Sequence, residues 1–155
     1  MNRYSSGEMI PAVRNFEIRK YLGKWYEIAR IPHFFERSMD HVSAEYFQDE
    51  KQRIHVLNSG LKHGVPQRIR GYVKSKNDLK TGELLVSFFR PFWSPYRVIA
   101  VDVDYTWAIV TGRDRSFLWI LSRTPTISDD LLCRCMDMIV NWDFDTGLLE
   151  FPENG

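Results

Sequence analysis

The stretch "YLGKWYEIARIP", Tyr21 to Pro32, decides how this chain folds. It reads as a strand that a glycine precedes, and strand alternation places Trp25 and Glu27 on the same side. A strand with one buried face rarely carries a charged residue beside a tryptophan. Glu27 is therefore either a structural carboxylate inside the fold or a catalytic base, and the rest of the chain has to decide between them.

The composition predicts a single globular domain. The 155 residues are 44% hydrophobic and 14% aromatic, which is enough for a core and excludes a disordered chain. We predict one domain over residues 1–155, with its core at about 16–151. The net charge is only +1, so no overall field attracts nucleic acid, and nucleic acid is not an expected partner.

The termini and cysteines leave the compartment open. No run of about 18 apolar residues predicts a membrane-spanning helix. The N-terminus "MNRYSSGEMIPAVRNF" has neither an apolar signal core nor a lipidation cysteine. The protein is therefore expected to be cytoplasmic if the chain is complete, and exported if a segment was removed. Cys133 and Cys135 lie two apart in a predicted helix, so we expect neither a disulfide nor a catalytic thiol.

Eight short runs of alternating hydrophobicity, separated by turn residues, predict an all-β sandwich or barrel. The runs are Lys24–Ile31, His41–Asp49, Arg53–Ser59, Gln67–Lys74, Glu83–Phe89, Tyr96–Asp102, Thr106–Thr111 and Phe117–Arg123. The last two are apolar on both faces, which is typical of strands that are covered on both sides.

One helix is predicted at "SDDLLCRCMDMIVNW", with Ser128 as its N-cap. Its apolar stripe consists of Leu131, Leu132, Cys135, Met136, Ile139 and Trp142, which leaves Cys133 exposed. We expect this stripe to pack on Ile109, Leu118 and Ile120 of the last two strands. The predicted fold is an eight-stranded antiparallel up-and-down β-barrel with one C-terminal α-helix packed outside.

Parity then predicts which side chains face the barrel interior. These are Trp25, Glu27, Ala29, Val42, Ala44, Tyr46, Ile54, Val56, Asn58, Ile69, Gly71, Val73, Leu84, Val86, Phe88, Tyr96, Val98, Ala100, Ala108, Val110, Phe117, Trp119 and Leu121. The set mixes large aromatic with small residues and includes a few polar groups, which favours a cavity for an amphiphile. The alternative is a filled core whose polar groups are satisfied internally.

The loops differ in character at the two ends of such a barrel. One end collects the segments "HFFERS", "LKHGVPQR", "RPFWSPY" and "GRDRS". They contribute Phe34, Phe35, Phe92 and Trp93, and the cations Arg37, Lys62, His63, Arg68, Arg90, Arg113 and Arg115. This basic, aromatic rim favours an anionic amphiphile or a lipid surface over ordinary solvated loops.

Three short motifs in order carry a family resemblance. "GKWYEIARIP" resembles the opening motif of the lipocalins, "VDY" before "WAIV" is similar to the second, and "LSRTP" is similar to the third. Val103 stands where the second motif has threonine. The matching motif residues are Gly23, Trp25, Asp104, Tyr105 and Arg123, and Arg123 matches an arginine that packs over the tryptophan. The resemblance covers Phe16 to Phe151 and is strongest to the bacterial, Blc-type and apolipoprotein D-like branches.

The resemblance implies a lipocalin calyx that binds fatty acids or lysophospholipids for transport or storage, with a role in outer-membrane maintenance or stress. It implies a periplasmic or outer-membrane location, contact with a membrane surface and a homodimer, and neither cofactor nor metal. Together with parity it predicts a ligand site of Tyr46, Val56, Lys62, Val73, Val86, Phe88, Tyr96, Val98, Trp119 and Leu121. Lys62 and neighbouring arginines would hold the head group, and Tyr96 would add a hydroxyl.

Two other functions stay open. In the first, the protein is a lipid or isoprenoid isomerase with Glu27 as its general base. In the second, it is a structural protein of a membrane surface that uses its "PFW" segment, Pro91 to Trp93. We expect neither catalysis nor a catalytic residue, because Glu27 lies near the closed end with Trp25 as the plug. There, Asn58 or trapped water would satisfy the carboxylate.

Overall fold

A computed structural model describes residues 9–32, 38–77 and 80–154. The strands are β1 Gly23–Ile31, β2 Met39–Gln48, β3 Ile54–Lys62, β4 Val65–Ser75, β5 Glu83–Phe89, β6 Phe92–Val101, β7 Trp107–Thr111 and β8 Leu118–Ser122. A short helix, α1 Ile18–Tyr21, precedes them. Helix α2 Asp129–Asn141 and a 3-10 turn, Thr146–Leu148, follow them.

The strands form a closed barrel in chain order, and β1 pairs antiparallel with β8 to complete it. The predicted eight-stranded antiparallel barrel is thus confirmed, as is the placing of one C-terminal helix outside it. Strands β4 and β6 begin earlier than predicted, at Val65 and Phe92, because tight turns at their starts let the ladders continue. Residues 89–92, from the end of β5 to the start of β6, form a narrow tip at the open end of the barrel.

Helix α2 packs on the outer wall, as its apolar stripe predicts. The Ser128 hydroxyl accepts a hydrogen bond from the Leu131 amide at 3.1 Å, which confirms the N-cap. Cys135 and Ile139 are fully buried against the β7–β8 wall, where Ile109, Leu118 and Ile120 lie, and Cys133 is exposed. Met138 packs against this cluster as well, and Leu132 does not belong to it. None of the helices in the described part of the chain has the length and apolar content that a bilayer crossing needs.

Two predicted inner residues, Ala29 and Ala100, lie on the outer wall instead. The register of β1 against β8 shifts between Glu27 and Ala29, and that of β6 against β7 shifts between Val98 and Ala100. A bulge of this kind adds one residue to a strand and reverses the face of every side chain after it. Both alanines consequently join the cluster under α2.

The same two bulges bring the following residues to the inner face. Arg30 stands opposite Trp119, and Val101 stands opposite Ala108. Directly opposed residues of an antiparallel pair share one face of the sheet. The interior therefore receives a fully buried arginine that simple alternation places outside.

The C-terminal segment completes the wall between β1 and β2. These strands pair only from Gly23 to Tyr26 on the β1 side. Farther along, the amide of Arg30 donates to Glu150 at 3.0 Å and that of Glu150 donates back at 2.8 Å. The amide of His41 on β2 donates to the Glu153 carbonyl at 2.7 Å. Residues 150–153 thus satisfy backbone groups that the diverging strands leave open.

Candidate ligand-binding interior

The structure gathers nine of the ten predicted ligand-site residues into one cluster inside the barrel. They are Tyr46, Val56, Val73, Val86, Phe88, Tyr96, Val98, Trp119 and Leu121. Gly71 makes room for one of them, because a β-carbon at this position would lie 2.8 Å from the Phe88 ring. The structure thus brings these nine residues together. Their role in ligand binding stays a prediction.

Several residues of this cluster keep accessible surface although they face inward. Val86, Phe88, Tyr96 and Trp119 are half-buried, whereas Val56 and Val98 nearer the closed end are fully buried. In a closed barrel, accessible surface on the inner face opens on the interior itself. The described residues therefore border a space on the open side, above a filled floor.

Three tyrosine hydroxyls meet at that floor. The hydroxyl oxygens of Tyr21 and Tyr96 lie 2.5 Å apart, and the Tyr46 hydroxyl donates to that of Tyr96 at 2.8 Å. Burial raises the pKa of all three phenols above the ordinary value, because desolvation disfavours the phenolate. The ring of Tyr96 also stacks on Trp119, with centroids 6.5 Å apart and planes inclined by 18°. The floor is therefore aromatic, and its three hydroxyls are uncharged.

The closed end is sealed by Trp25 and Arg123, two of the predicted motif residues. The Arg123 guanidinium lies 3.8 Å from the centroid of the fully buried Trp25 ring. Its nitrogens donate to the carbonyls of Tyr105, Lys24 and Lys20, at 2.9, 3.1 and 2.8 Å. A cation over an indole face with several charge-assisted hydrogen bonds is a stable seal.

The remaining motif residues support this seal to different degrees. Gly23 has a φ of +103°, and a β-carbon there would lie 3.1 Å from an Arg123 nitrogen, so the position favours glycine. Tyr105 is buried, and its hydroxyl accepts a hydrogen bond from the Glu17 amide at 2.9 Å. Asp104 is exposed and takes no part in the packing of the closed end.

Glu27 is buried inside the barrel as predicted, and Arg30 is a partner that the sequence analysis did not name. The Arg30 Nη1 donates to Glu27 Oε1 at 3.2 Å. Its Nη2 donates to the Met39 carbonyl at 2.7 Å and to Glu150 Oε1 at 3.1 Å. The sequence analysis missed Arg30 because the β1 bulge, which turns this residue inward, leaves no mark in the hydrophobic pattern. A contact of Glu27 with Asn58 or trapped water stays a prediction.

Lys62, the tenth predicted ligand-site residue, ends β3 at the open rim. It is half-buried and stands opposite Met39 and Val65. Arg115, predicted for the same rim, instead donates to the Trp142 carbonyl at the end of α2, at 2.6 Å. Helix ends leave carbonyls unpaired, which explains why they attract this cation. The predicted rim residues Phe34, Phe35 and Arg37 lie outside the described residues.

The open-end tip presents two phenylalanines to solvent. Phe89 is 71% exposed and Phe92 is 75% exposed, and they stand opposite each other across the β5–β6 turn. Trp93, which the sequence placed with the exposed rim, is only half-buried and lies on the outer wall under Lys74, whose Nζ is 4.0 Å from the ring centroid. The exposed apolar surface is therefore carried by Phe89 and Phe92.

Tyr21, Arg30 and Val101 are among the interior residues that strand parity did not place there. Tyr21 lies in α1 rather than in a strand, so parity could not place it, although its position two residues before Gly23 was a usable signal. Arg30 was hidden by the bulge in β1.

The described residues hold no group of three or more His, Cys, Asp or Glu side chains that could bind a metal ion.

A surface cleft of about 440 Å³ lies outside the barrel, beside α1 at the closed end. It is lined by Phe16, Glu17, Ile18, Arg19, Ser75, Asn77, Lys80 and Thr81, none of which is a predicted site residue. The candidate site therefore remains the barrel interior.

Comparison with known proteins agrees with this architecture. The "Lipocalin-like domain" family matches residues 16–154. The outer membrane lipoprotein Blc of Citrobacter freundii is 42% identical over 142 residues, which cover 90% of this chain and 80% of that protein. Apolipoprotein D of Mus musculus is 32% identical, over 87% of this chain and 75% of its own.

Among solved structures, insecticyanin from the tobacco hornworm Manduca sexta superposes with a TM-score of 0.77 at 22% identity. The match covers 94% of this chain and 85% of insecticyanin, and at this identity it speaks for the fold alone. The family match and the bacterial relatives show the family as well as the fold, and they agree with the three sequence motifs. The chain belongs to the lipocalin family, whose members bind small hydrophobic ligands.

Proposed function

We propose that this protein reversibly binds a fatty acid or a lysophospholipid in its barrel interior, for transport or storage. The observation that carries the proposal is the accessible apolar surface of Val86, Phe88 and Trp119 on the inner face. Burying an acyl chain contributes about 0.8 kcal/mol per methylene. A long chain therefore reaches micromolar affinity or better even after the costs of ordering.

The polarity of the interior supports an orientation with the head group at the open end. Lys62 lies at that rim, whereas the closed end is filled by Trp25 and by the tyrosine floor. Lys62 would attract a carboxylate or a phosphate there, and the acyl chain would extend toward Trp119. A role in outer-membrane maintenance or stress is part of the proposal, and the similarity to outer membrane lipoproteins supports it.

A titration of the wild type with palmitate and palmitoyl lysophosphatidylcholine tests the proposal, with Trp119→Ala as the pocket variant. We expect the variant to bind at least about tenfold more weakly, because it removes a large apolar surface from the site. Trp93→Ala is the matched control, since this half-buried tryptophan lies on the outer wall. Unchanged affinity in Trp119→Ala, or absence of binding to the wild type, contradicts the proposal.

The head-group assignment has its own test. Lys62→Met should weaken palmitate binding at low salt by about threefold, which is the effect of one exposed ion pair. Binding of methyl palmitate should not change, because the ester carries no charge. An equal effect on both ligands would mean that Lys62 contributes packing and not charge.

Contact with an anionic membrane surface is a second candidate function, and the exposed Phe89 and Phe92 favour it. Two aromatic side chains at a hairpin tip can enter the interface of a bilayer, and Arg90 between them can contact head groups. Phe89→Ser/Phe92→Ser should abolish binding to phosphatidylglycerol vesicles and leave palmitate binding intact. If the double variant instead converts a dimer to a monomer, the tip is a contact between two copies.

We propose binding and not catalysis, because Glu27, the carboxylate that the sequence offered as a general base, is buried and paired with Arg30. An isomerase activity that disappears in Glu27→Gln would reverse this conclusion.

A further inference from the structure

We propose that the hydroxyls of Tyr21, Tyr46 and Tyr96 form a neutral donor site that takes an uncharged acceptor oxygen, such as a keto group, near the inner end of the ligand. This inference rests on the proposed function and adds to it a preference of the interior for oxygenated acyl chains. It follows from the number of hydroxyl hydrogens, from the position of the hydroxyls and from the charge of the floor.

The tyrosine triad contains one more hydroxyl hydrogen than its internal contacts use. Three phenols bring three hydroxyl hydrogens, and the triad contains two oxygen–oxygen contacts, Tyr21 to Tyr96 and Tyr46 to Tyr96. Each contact uses one hydrogen. One hydrogen is therefore left over in every arrangement of donors and acceptors, and the three hydroxyls make no further hydrogen bond to the described residues.

The three tyrosines differ in how far they are buried. Tyr21 and Tyr46 are almost fully buried, at 0% and 5% exposure, whereas Tyr96 is half-buried on the inner face. When Tyr21 and Tyr46 both donate to Tyr96, the hydrogen of Tyr96 remains. Tyr96 also stacks on Trp119, which borders the accessible interior. In this arrangement the spare donor lies where the far end of a bound chain would arrive.

The floor favours an uncharged acceptor over an anion. Desolvation raises the pKa of each of the three phenols, so the triad stays protonated at neutral pH. Glu27 lies close enough to Tyr46 to raise its pKa further, while Arg123 lowers that of Tyr21. Arg30 and Arg123 are themselves engaged, with Glu27 and with backbone carbonyls. A buried carboxylate would find one hydroxyl and no available cation in the described floor, which is too little to offset its desolvation.

The tyrosine floor should therefore bind an acyl chain with a keto group more tightly than a plain acyl chain. A plain acyl chain places a methyl group against the spare hydroxyl and leaves that donor without a partner. A keto oxygen at the same depth accepts the hydrogen bond. A buried donor without a partner is costly, and the pairing should be worth about tenfold in affinity.

The test compares palmitate with a hexadecanoic acid that carries a keto group next to its terminal methyl. The measured quantity is the ratio of the two dissociation constants for each variant. The decisive variant is Tyr21→Phe/Tyr46→Phe/Tyr96→Phe, which removes all donors and acceptors of the triad together and keeps the ring shapes. We expect the ratio to change by about tenfold against the keto acid.

Two further variants sharpen the result. Tyr46→Phe removes one hydrogen and one contact, so one spare donor remains and the ratio should stay close to that of the wild type. Tyr72→Phe is the control, because this ring lies on the outer wall under Arg90. An isotope-labelled keto carbon should show a carbonyl stretch at lower frequency in the wild type than in the triple variant, which reports the hydrogen bond directly.

The outcomes separate the two proposals. If palmitate binds the wild type and the triple variant leaves the ratio and the carbonyl frequency unchanged, water satisfies the spare hydroxyl and this inference falls. If neither acid binds the wild type, the proposed function falls and takes this inference with it. If the triple variant does not fold, the carbonyl frequency in wild type and Tyr46→Phe decides, and a frequency equal to that of the acid in hexane overturns the inference.

Discussion

Arg123 stands over Trp25 with its guanidinium carbon 3.8 Å from the ring centroid, and it joins the end of β8 to two segments that are distant from it in the chain. It donates to carbonyls in α1, at the start of β1 and in the β6–β7 turn. The three motifs found in the sequence therefore meet in one place. Together they close the barrel at that end.

Replacing Arg123 by alanine should lower the free energy of unfolding by about 2 kcal/mol, because a cation–π contact and several hydrogen bonds are lost together. Urea denaturation followed by tryptophan fluorescence measures it. Arg113→Ala is the matched control, since this arginine is 72% exposed and lies over Phe117 with a single long contact to Asp114. The control should change stability by less than about 0.5 kcal/mol. Equal losses of stability in Arg123→Ala and Arg113→Ala would mean that the contacts of Arg123 at the closed end do not stabilise the fold.

Replacing Arg30 by methionine should destabilise the fold by about 3–5 kcal/mol, because Glu27 would stay buried without its partner. Glu27→Gln/Arg30→Met should regain part of the loss, since it removes the buried Glu27 charge and leaves only Glu150, which is partly exposed, without Arg30. Chemical denaturation of the wild type, Glu27→Gln, Arg30→Met and the double variant gives the coupling energy. Lys20→Met, which breaks the exposed pair with Glu17, serves as the control and should cost at most about 1 kcal/mol. A double variant less stable than Arg30→Met would contradict the pairing.

The two cysteines should react at different rates with iodoacetamide at mildly alkaline pH. Cys133 is exposed, whereas Cys135 is fully buried between α2 and the barrel wall, and burial raises the pKa of its thiol to about 11. The thiolate is the reactive form, so only Cys133 should be modified in the folded protein. Mass spectrometry counts the adducts, and Cys133→Ser should take up none before unfolding. Two adducts on the native wild type would show that α2 does not stay docked.

Asp49 should stabilise the folded protein at neutral pH and lose this effect in acid. Its hydrogen bond with His55, together with Arg53, holds the pKa of the Asp49 carboxyl well below its usual range. A carboxyl with a lowered folded pKa contributes stability above its unfolded pKa of about 3.9, and this contribution is lost as the pH falls below that value. Asp49→Asn should therefore lower the melting temperature at pH 7 and approach the wild type at about pH 2.

Thermal melts at several pH values test the role of Asp49. The control is Asp137→Asn on the exposed face of α2, where the described residues offer no ion pair. It should follow the wild type at every pH. A melting-temperature difference for Asp49→Asn that is the same at both ends of the range would show that the residue acts by packing and not by charge.

Most of the barrel was predictable because alternation is a local property. Val56, Val73 and Val86 lie inside as parity requires, and the stripe of α2 seats Cys135 and Ile139 where the sequence placed them. The prediction failed where a bulge reversed the parity, at Ala29 and Ala100. A bulge depends on how two strands register against each other, so one strand read by itself cannot reveal it.

The sequence by itself determined the eight strands, the docked helix and an apolar interior, because hydrophobic period and turn residues are written along the chain. Only the tertiary structure decided how the polar groups inside are paired. The Glu27–Arg30 ion pair and the hydroxyl triad of Tyr21, Tyr46 and Tyr96 join residues from different elements or across a bulge. Hydrogen bonds need atoms within about 3 Å, and only the closed barrel brings these atoms to that distance.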